Sequence, residues 1–346
     1  MPFKANVNGK TIISIEMGDD EWNELKKAVR SNKTSIKLFC CGGLAYPRIS
    51  KLGTKHFVHE TKHKCNWKPE SVNHLKTKEI IFKACKEEGW NVELEYNFND
   101  WIADIFATSG NTRIALEAQW SRQTDEETRI RQEKYRKDGV KGLWFFRYLP
   151  ESLITDEKVP AFKLSKKDNN YFVTMGCNEI ELSSTVKKLL RGRVEFRKKL
   201  TYKRTQIAHI YKFEMECWKC ERTTPVIAVY SNYVSCCGIE FDNMRISDED
   251  LGMAIASLQN RGVKELADLA SIKKRYSKTA GHSYWSNGCK WCGAIVGEWF
   301  LSNVLLDFLY TEPIPILKVP FTLNERIEFE DYPHWCLKGD EGFCEI

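Results

Sequence analysis

Two strand-like segments in the first half of the chain carry acids among apolar residues. Asp104 sits in Trp101-Ile102-Ala103-Asp104-Ile105-Phe106, and Glu117 and Gln119 sit in Ile114-Ala115-Leu116-Glu117-Ala118-Gln119-Trp120. Side chains alternate between the faces of a strand, so Ile114, Leu116, Ala118 and Trp120 share one face and Glu117 and Gln119 the other. A buried carboxylate has to be paired or bind metal. Asp104 and Glu117 on successive strands are therefore candidates to hold Mg²⁺ or Mn²⁺. Mg²⁺ takes one or two carboxylates together with waters and phosphate oxygens. Such an ion polarises a phosphodiester and activates water. Gln119 can hydrogen-bond a water or phosphate oxygen but brings no charge, so another cation has to assist. Glu70, His74 and Lys78 are spaced by four on a predicted helix and share a face. Lys78 could supply that charge, or the three could form an ordinary exposed ion-pair face. Glu95, on the strand before Asp104, is a further candidate ligand. Arg131 and Tyr135, also four apart, either reach substrate or pack a second helix on the sheet.

The second chemistry is in the thirteen cysteines, an odd number that argues against a fully paired disulfide framework. Cys217-Trp218-Lys219-Cys220 and Cys289-Lys290-Trp291-Cys292-Gly293 are two C-x₂-C pairs, the ligand set of a closed, structural Cys₄ zinc site. The long gap between them must hold an inserted unit. Cys236-Cys237-Gly238 is a competing ligand source. A second group, Cys40, Cys41, His56, His59, His63 and Cys65, is either a zinc site, with Cys40, Cys41, His59 and Cys65 as its ligands, or a compact Gly/His-rich turn. Cys85, Cys177, Cys336 and Cys344 read as core or tail thiols.

Elements must position these groups. Residues 1–38 read as a strand pair, turning at Val7-Asn8-Gly9-Lys10, then a helix over Glu21 to Arg30 capped by Asp20. A long helix is expected from near Pro69 to Gly89. Strands follow at 91–98, 101–107 and 112–120, then a charged helix from Glu126 to Lys137 and a buried strand at 143–146. A boundary falls between Pro150 and Pro160, and 161–182 reads as a short two-strand insertion. A further helix is expected near Asp248 to Lys274. The domains expected are 1–66, an N-terminal Cys/His-rich β element; 67–150, the core; 151–204, an insertion and basic linker; and 205–346, a Cys₄ zinc domain.

The chain has 346 residues, 42% hydrophobic and 29% charged, the balance of a folded soluble protein. No apolar run reaches the ~18 residues of a membrane span, and Met1 to Gly9 lacks the apolar core of a signal peptide, so a cytoplasmic protein is expected. The net charge is +6, yet residues 186–204 alone hold nine Lys/Arg against one Glu. The remainder therefore sums to −2, and one stretch sets the sign of the molecule. Lys187, Lys188, Arg191, Arg197, Lys198 and Lys199 suit DNA phosphates, unless the stretch is a plain solvated helix. The tail from Glu325 carries seven acidic residues against two basic ones and either stays solvated or folds back on that stretch.

The order Asp104, then Glu117-x-Gln119 one strand later, inside a helix–three strands–helix–strand pattern, resembles the PD-(D/E)xK restriction-endonuclease-like nucleases, with glutamine at the usual lysine position. More of the chain, roughly 39–147, resembles the competence protein CoiA family. The matching elements are His56-Phe57-Val58-His59, Glu70-Ser71-Val72-Asn73-His74 with Lys78, Glu117-x-Gln119-x-Ser121, Arg131-x-x-x-Tyr135 and the Trp144 strand. That family accepts glutamine at the lysine position.

The resemblance implies an α/β (α+β) fold: a mixed sheet flanked by helices, with an N-terminal zinc-ribbon-like element, here followed by a C-terminal zinc-ribbon-containing domain. It implies a metal-dependent nuclease cutting DNA in uptake, recombination or antiviral defence. The catalytic candidates are Asp104, Glu117, Gln119, Glu70, His74 and Lys78, and Arg131 and Tyr135 join the nucleic-acid contacts. DNA is the expected partner, with no membrane, and with a homo-oligomer or other DNA-processing or defence proteins as further partners. The alternative is an inactive nuclease-like zinc-ribbon protein that binds DNA or serves as a scaffold.

Overall fold

A computed structural model describes the chain except residues 1, 61–64, 66–69, 299, 302–304, 306–309, 311, 326, 330, 339–342 and 345–346. Pro69, expected at a helix start, and His63, a candidate ligand, lie outside the described residues. The chain forms two compact units, residues 1–198 with 333–339 and residues 199–332 with 340–346.

The first unit opens with β1 (Lys4–Val7) and β2 (Lys10–Ile13). Asn8 and Gly9, at φ 51 and 83, supply the two left-handed positions of a type I′ turn. Helix α1 spans Asp19–Arg30, so the cap is Gly18 and not Asp20. The Glu21 carboxylate accepts the Gly18 N–H at 3.0 Å. Strands β3 (Ile36–Lys37), β4 (Leu44–Ile49) and β5 (Lys55–His59) complete an antiparallel sheet of order β2-β1-β3-β4-β5. Trp22 of α1 is fully buried beneath it, its ring 5.4 Å from that of Phe57.

Helix α2 (Val72–Glu87) is capped by Ser71, whose side chain accepts the His74 N–H. Then come β6 (Asn91–Phe98), β7 (Trp101–Ser109), β8 (Thr112–Gln119), α3 (Asp125–Lys137) and β9 (Lys141–Phe146). Thr124 and Glu127 form a capping box at the start of α3. After a short α4 (Glu151–Ile154) the chain adds β10 (Ala161–Lys167), β11 (Asn170–Met175) and β12 (Asn178–Glu181), then α5 (Leu182–Leu190) and β13 (Val194–Arg197).

Strands β6 to β12 make one seven-stranded sheet in sequential order. Pairs β8/β9 and β9/β10 are parallel and the others antiparallel. The border expected between Pro150 and Pro160 therefore runs through a single sheet, and 161–182 is no insertion. The reason is visible in burial: Ala161, Phe162, Leu164, Tyr171, Val173 and Met175 are all in the core. One face of the sheet packs on α3 through Trp101, Ala103, Phe106, Ala115, Tyr135, Trp144 and Phe146.

The second unit holds β14 (Leu200–Thr201), the long hairpin β15 (Thr205–Glu216) and β16 (Thr223–Val229), then β17 (Asn232–Val234) and β18 (Glu240–Asn243). Helix α6 spans only Glu249–Asn260. Gly262, at φ 78, stops it, and Lys273–Ser277 is β19, not the helix's last turn. Strands β20 (His282–Gly288), β21 (Ile295–Val296), β22 (Leu317–Thr322) and β23 (Glu328–Phe329) follow. The acidic tail does fold back on the basic stretch: β23 pairs with β14, and in the first unit β24 (His334–Leu337) pairs with β13. No described helix is long and apolar enough to cross a membrane.

Gly142 of β9 lies against α3, where an added Cβ would fall 2.0 Å from Gln132 Oε1 and 3.0 Å from Tyr135 Cδ2. Gln132 Oε1 accepts the Trp144 indole N–H at 2.7 Å. Gly142→Ala should therefore displace Gln132, press on Tyr135 and cost about 1–3 kcal/mol, read as a lowered denaturant midpoint at unchanged m-value.

Candidate active site and zinc centres

Strands β7 and β8 pair from Ser109↔Thr112 as far as Ile105↔Leu116. Asp104 and Glu117 are the next residues in that register, at the point where the ladder stops. Asp104 Oδ2 there accepts the Ala118 N–H at 3.0 Å. The two carboxylates then part. Asp104 turns to α2, with His74 Nε2 3.3 Å and Lys78 Nζ 3.5 Å away. Glu117 turns to α3, taking Arg131 Nη2 at 2.7 Å and a hydrogen bond from the Tyr135 hydroxyl. Gln119 Nε2 donates to Glu117 Oε2 at 3.4 Å.

The α2 side is the richer. Glu70, His74 and Asp104 converge with ligand atoms within 4.8 Å of one another. Glu117 does not belong to that group. Lys78 is fully buried, 3.0 Å from Glu70 and 3.3 Å from Glu95. The shared face read from the four-residue spacing is thus no solvent-exposed ion-pair face. Glu95 has a left-handed φ of 50 and also accepts the Phe3 N–H at 2.9 Å. This contact from the chain start was invisible in sequence, because 92 residues separate the partners.

Electrostatics follow from burial and neighbours. Burial alone would raise the Asp104 and Glu70 carboxyls, but His74 and Lys78 at Asp104, and Lys78 foremost at Glu70, outweigh it and hold both below the ordinary carboxylate range. Burial would lower His74, yet Asp104 outweighs it and raises the imidazole. Burial raises Glu95 in spite of Lys78, and raises Glu117 in spite of Arg131, with Asp104 adding to the rise. Four carboxylates thus face two fixed cations, Lys78 and Arg131. Glu70 and Asp104 with His74 offer two hard oxygens and an imidazole for a divalent ion.

The paired cysteines of the second unit meet as the spacing predicted. Cys217 Sγ lies 3.7 Å from Cys292 Sγ and Cys220 Sγ 3.6 Å from Cys289 Sγ, and all four are mutually within 4.8 Å. Each pair sits on the turn of a hairpin, β15/β16 and β20/β21, and Glu221 and Gly293 take the left-handed positions, at φ 60 and 68. Burial would raise the Cys289 thiol, but the backbone N–H groups of Cys292 and Trp291 and the neighbouring thiols bring it down to about 6. Four sulfurs at this spacing fit a tetrahedral Zn²⁺ and leave no open position. Asn287 joins the hairpins, its amide accepting the Ile227 N–H at 3.0 Å and donating to the Ile227 carbonyl at 2.8 Å. Cys237, the competing ligand source, instead lies 3.2 Å from Cys344.

In the first unit Cys40, Cys41, His59 and Cys65 also converge. Cys41 Sγ is 3.2 Å and Cys40 Sγ 3.8 Å from His59 Nε2, and Cys65 Sγ is 3.5 Å from Cys40 Sγ. Adjacent cysteines do reach one centre here, because the chain reverses at once through Gly42, at φ 67. His56 is not part of it; it is buried, with Nδ1 3.1 Å from the Thr54 carbonyl. Both Cys/His clusters have the donor set of structural zinc.

The basic stretch is less available than its sequence suggests. Lys187 pairs with Glu87, Arg191 with Glu88, Arg197 with Glu195 and Lys199 with Glu328. Arg131 and Tyr135 are spent on Glu117.

A mixed sheet flanked by helices, with acids, an imidazole and a buried lysine gathered where two strands separate, is the architecture of a nuclease-like domain. Residues 70–218 match the family model described as competence protein CoiA, nuclease-like domain. The match opens on Glu70 and includes β10 to β12, as the single sheet requires. No curated protein matches the chain.

Lys78→Met should leave Glu70, Glu95 and Asp104 buried without their cation and destabilise the first unit by about 3–5 kcal/mol at neutral pH. The deficit should shrink on acidification, since protonated carboxyls need no cation; equal deficits at pH 7 and 5 would refute the role. Cys289→Ser should cost one equivalent of zinc by elemental analysis and lower the thermal stability of the second unit.

Proposed function

We propose that this protein is a divalent-metal-dependent nuclease that hydrolyses DNA phosphodiester bonds, most simply an endonuclease, working on DNA in uptake or recombination or against foreign DNA. The observation that carries this reading is the convergence of Glu70, His74 and Asp104 around one point, with Lys78 beside them. Asp104 and Glu70 would hold Mg²⁺ or Mn²⁺, and the ion would supply Lewis-acid activation of the phosphate and of water.

The remaining work falls to the chain itself. Lys78 keeps the carboxylates ionised and brings the positive charge that Gln119 lacks. His74, bridged to Asp104, is placed to complete the ligand set or to accept a proton. Arg131 holds Glu117 in place and, being partly exposed, could exchange that contact for a substrate phosphate. Lys187, Lys188, Arg191, Arg197, Lys198 and Lys199 would contact DNA backbone, each ion-paired residue among them giving up a carboxylate for a phosphate. Both zinc clusters would be structural.

One observation favours the second reading, an inactive nuclease-like protein that binds DNA or serves as a scaffold. Glu117 already has both oxygens occupied by Tyr135, Arg131 and Gln119. Cleavage assays decide between them. Linear, circular and single-stranded DNA should be cut with Mg²⁺ or Mn²⁺ and not with EDTA. Asp104→Ala should lower the rate by more than about a hundredfold without unfolding the protein, and Gln119→Lys should be tolerated. A parent protein that binds DNA but cuts none of these substrates would establish the scaffold.

A further inference from the structure

Beyond Gln119 the first unit contains a cleft of ≈ 810 Å³ that neither the sequence motifs nor the candidate site accounts for. It lies where the parallel strands β8 and β9 end side by side, and the residues that follow them build its wall. Arg122 comes after β8, and Arg147 and Tyr148 after β9. Lys163 stands on β10 opposite Phe146. The cleft neighbours the candidate site along the strands: the Arg147 N–H donates to the Gln119 carbonyl at 2.8 Å, and Gln119 bonds Glu117.

The cations here differ from several that surround the candidate site or belong to the basic stretch. Lys78, Arg131, Lys134, Lys187 and Arg191 are each engaged by a carboxylate. Among the described residues Arg122, Arg147 and Lys163 have no carboxylate within ion-pair distance, although Glu127 and Glu151 also line the cleft. Glu127 is committed to the start of α3, accepting the Thr124 N–H at 3.2 Å. Arg122 and Arg147 instead approach the ring of Tyr148, their Cζ atoms 5.4 and 5.8 Å from its centre. Tyr148 is 51% exposed. Two guanidinium groups beside a half-exposed aromatic ring, with Lys163 lining the same cleft, match a chain of phosphates carrying free bases. Guanidinium groups take the phosphates and the ring takes a base by stacking, which requires a base not already stacked inside a duplex.

We infer that this cleft binds a single-stranded stretch of DNA, with Arg122, Arg147 and Lys163 on its phosphates and Tyr148 against a base, and so leads an unpaired strand to Asp104 and its neighbours. The binding claim stands on the cleft alone; only the delivery of that strand for cleavage rests on the nuclease reading.

Fluorescence anisotropy in EDTA, with a labelled single-stranded oligonucleotide and the duplex of the same sequence, tests binding apart from cleavage. The parent should favour the single strand. Tyr148→Ala should weaken that binding by about tenfold or more, while Tyr148→Phe keeps it. Replacing Arg122, Arg147 and Lys163 together by Ala should flatten the slope of log affinity against log salt by about two units, at roughly 0.7 per phosphate. Tighter binding of the duplex by the parent, or unchanged single-strand affinity and salt slope in Tyr148→Ala and the triple variant, overturns the inference. The same preparations assayed with Mg²⁺ or Mn²⁺ separate the two claims. Cleft-dependent binding without cleavage ends the nuclease reading and leaves the cleft, whereas cleavage with cleft-independent binding does the reverse.

Discussion

Lys78 is a fully buried cation held among three carboxylates, and the arrangement of the nuclease-like core follows from it. A buried ammonium is tolerable only where its partners are close and numerous. Its partners come from three elements: Glu70 precedes α2, Glu95 interrupts β6 and Asp104 stands on β7. Satisfying one lysine therefore fixes the depth and rotation of the helix against two strands. The strain at Glu95 fits this picture, since its left-handed backbone turns its side chain toward Lys78 and the Phe3 N–H. Through that N–H the same carboxylate ties the chain start to the core.

Against this fixed side, the α3 side is set by Glu117. Its side chain is more deeply buried than that of Asp104, and a guanidinium and a phenol satisfy it in place of a lysine. The two acids follow the last paired residues of β7 and β8 and face different helices. The site is thus a by-product of charge satisfaction on two faces of one sheet.

Much of this was legible in the sequence. Acids inside the apolar runs at 101–106 and 114–120 could only be paired or ligating residues, and the i, i+4 ladder of Glu70, His74 and Lys78 placed a lysine on the same helix face as two possible ligands. The C-x₂-C pairs met across their gap because metal-ligand spacing is a local property. What was not legible depended on the third dimension. Alternation gives a side chain's face but not the end of a ladder, so the parting of Asp104 and Glu117 was hidden. The two-residue strand at Ile36–Lys37 is too short for periodicity to declare it, and alternation in the strands after Pro160 does not say which sheet they join. A dense run of Lys and Arg reads as free charge until the acids that neutralise it, such as Glu87, Glu88 and Glu328, are seen to lie beside it.

The spacing of the second unit's knuckles also has a consequence for how the protein is made. Cys220 and Cys289 are neighbours in the folded chain but 69 positions apart along it, with α6 and the strands β16 to β20 between. At about 5–20 residues per second, a ribosome needs roughly 3–14 seconds to pass from one to the other. For that interval Cys217 and Cys220 are a half-built centre, two thiols awaiting their complement. Hairpin β15/β16 can form in microseconds, yet its closure into a four-sulfur centre must wait for translation. The order of synthesis therefore makes β20/β21 the element that completes the cluster, and the segment between the knuckles has to collapse before the four sulfurs can meet.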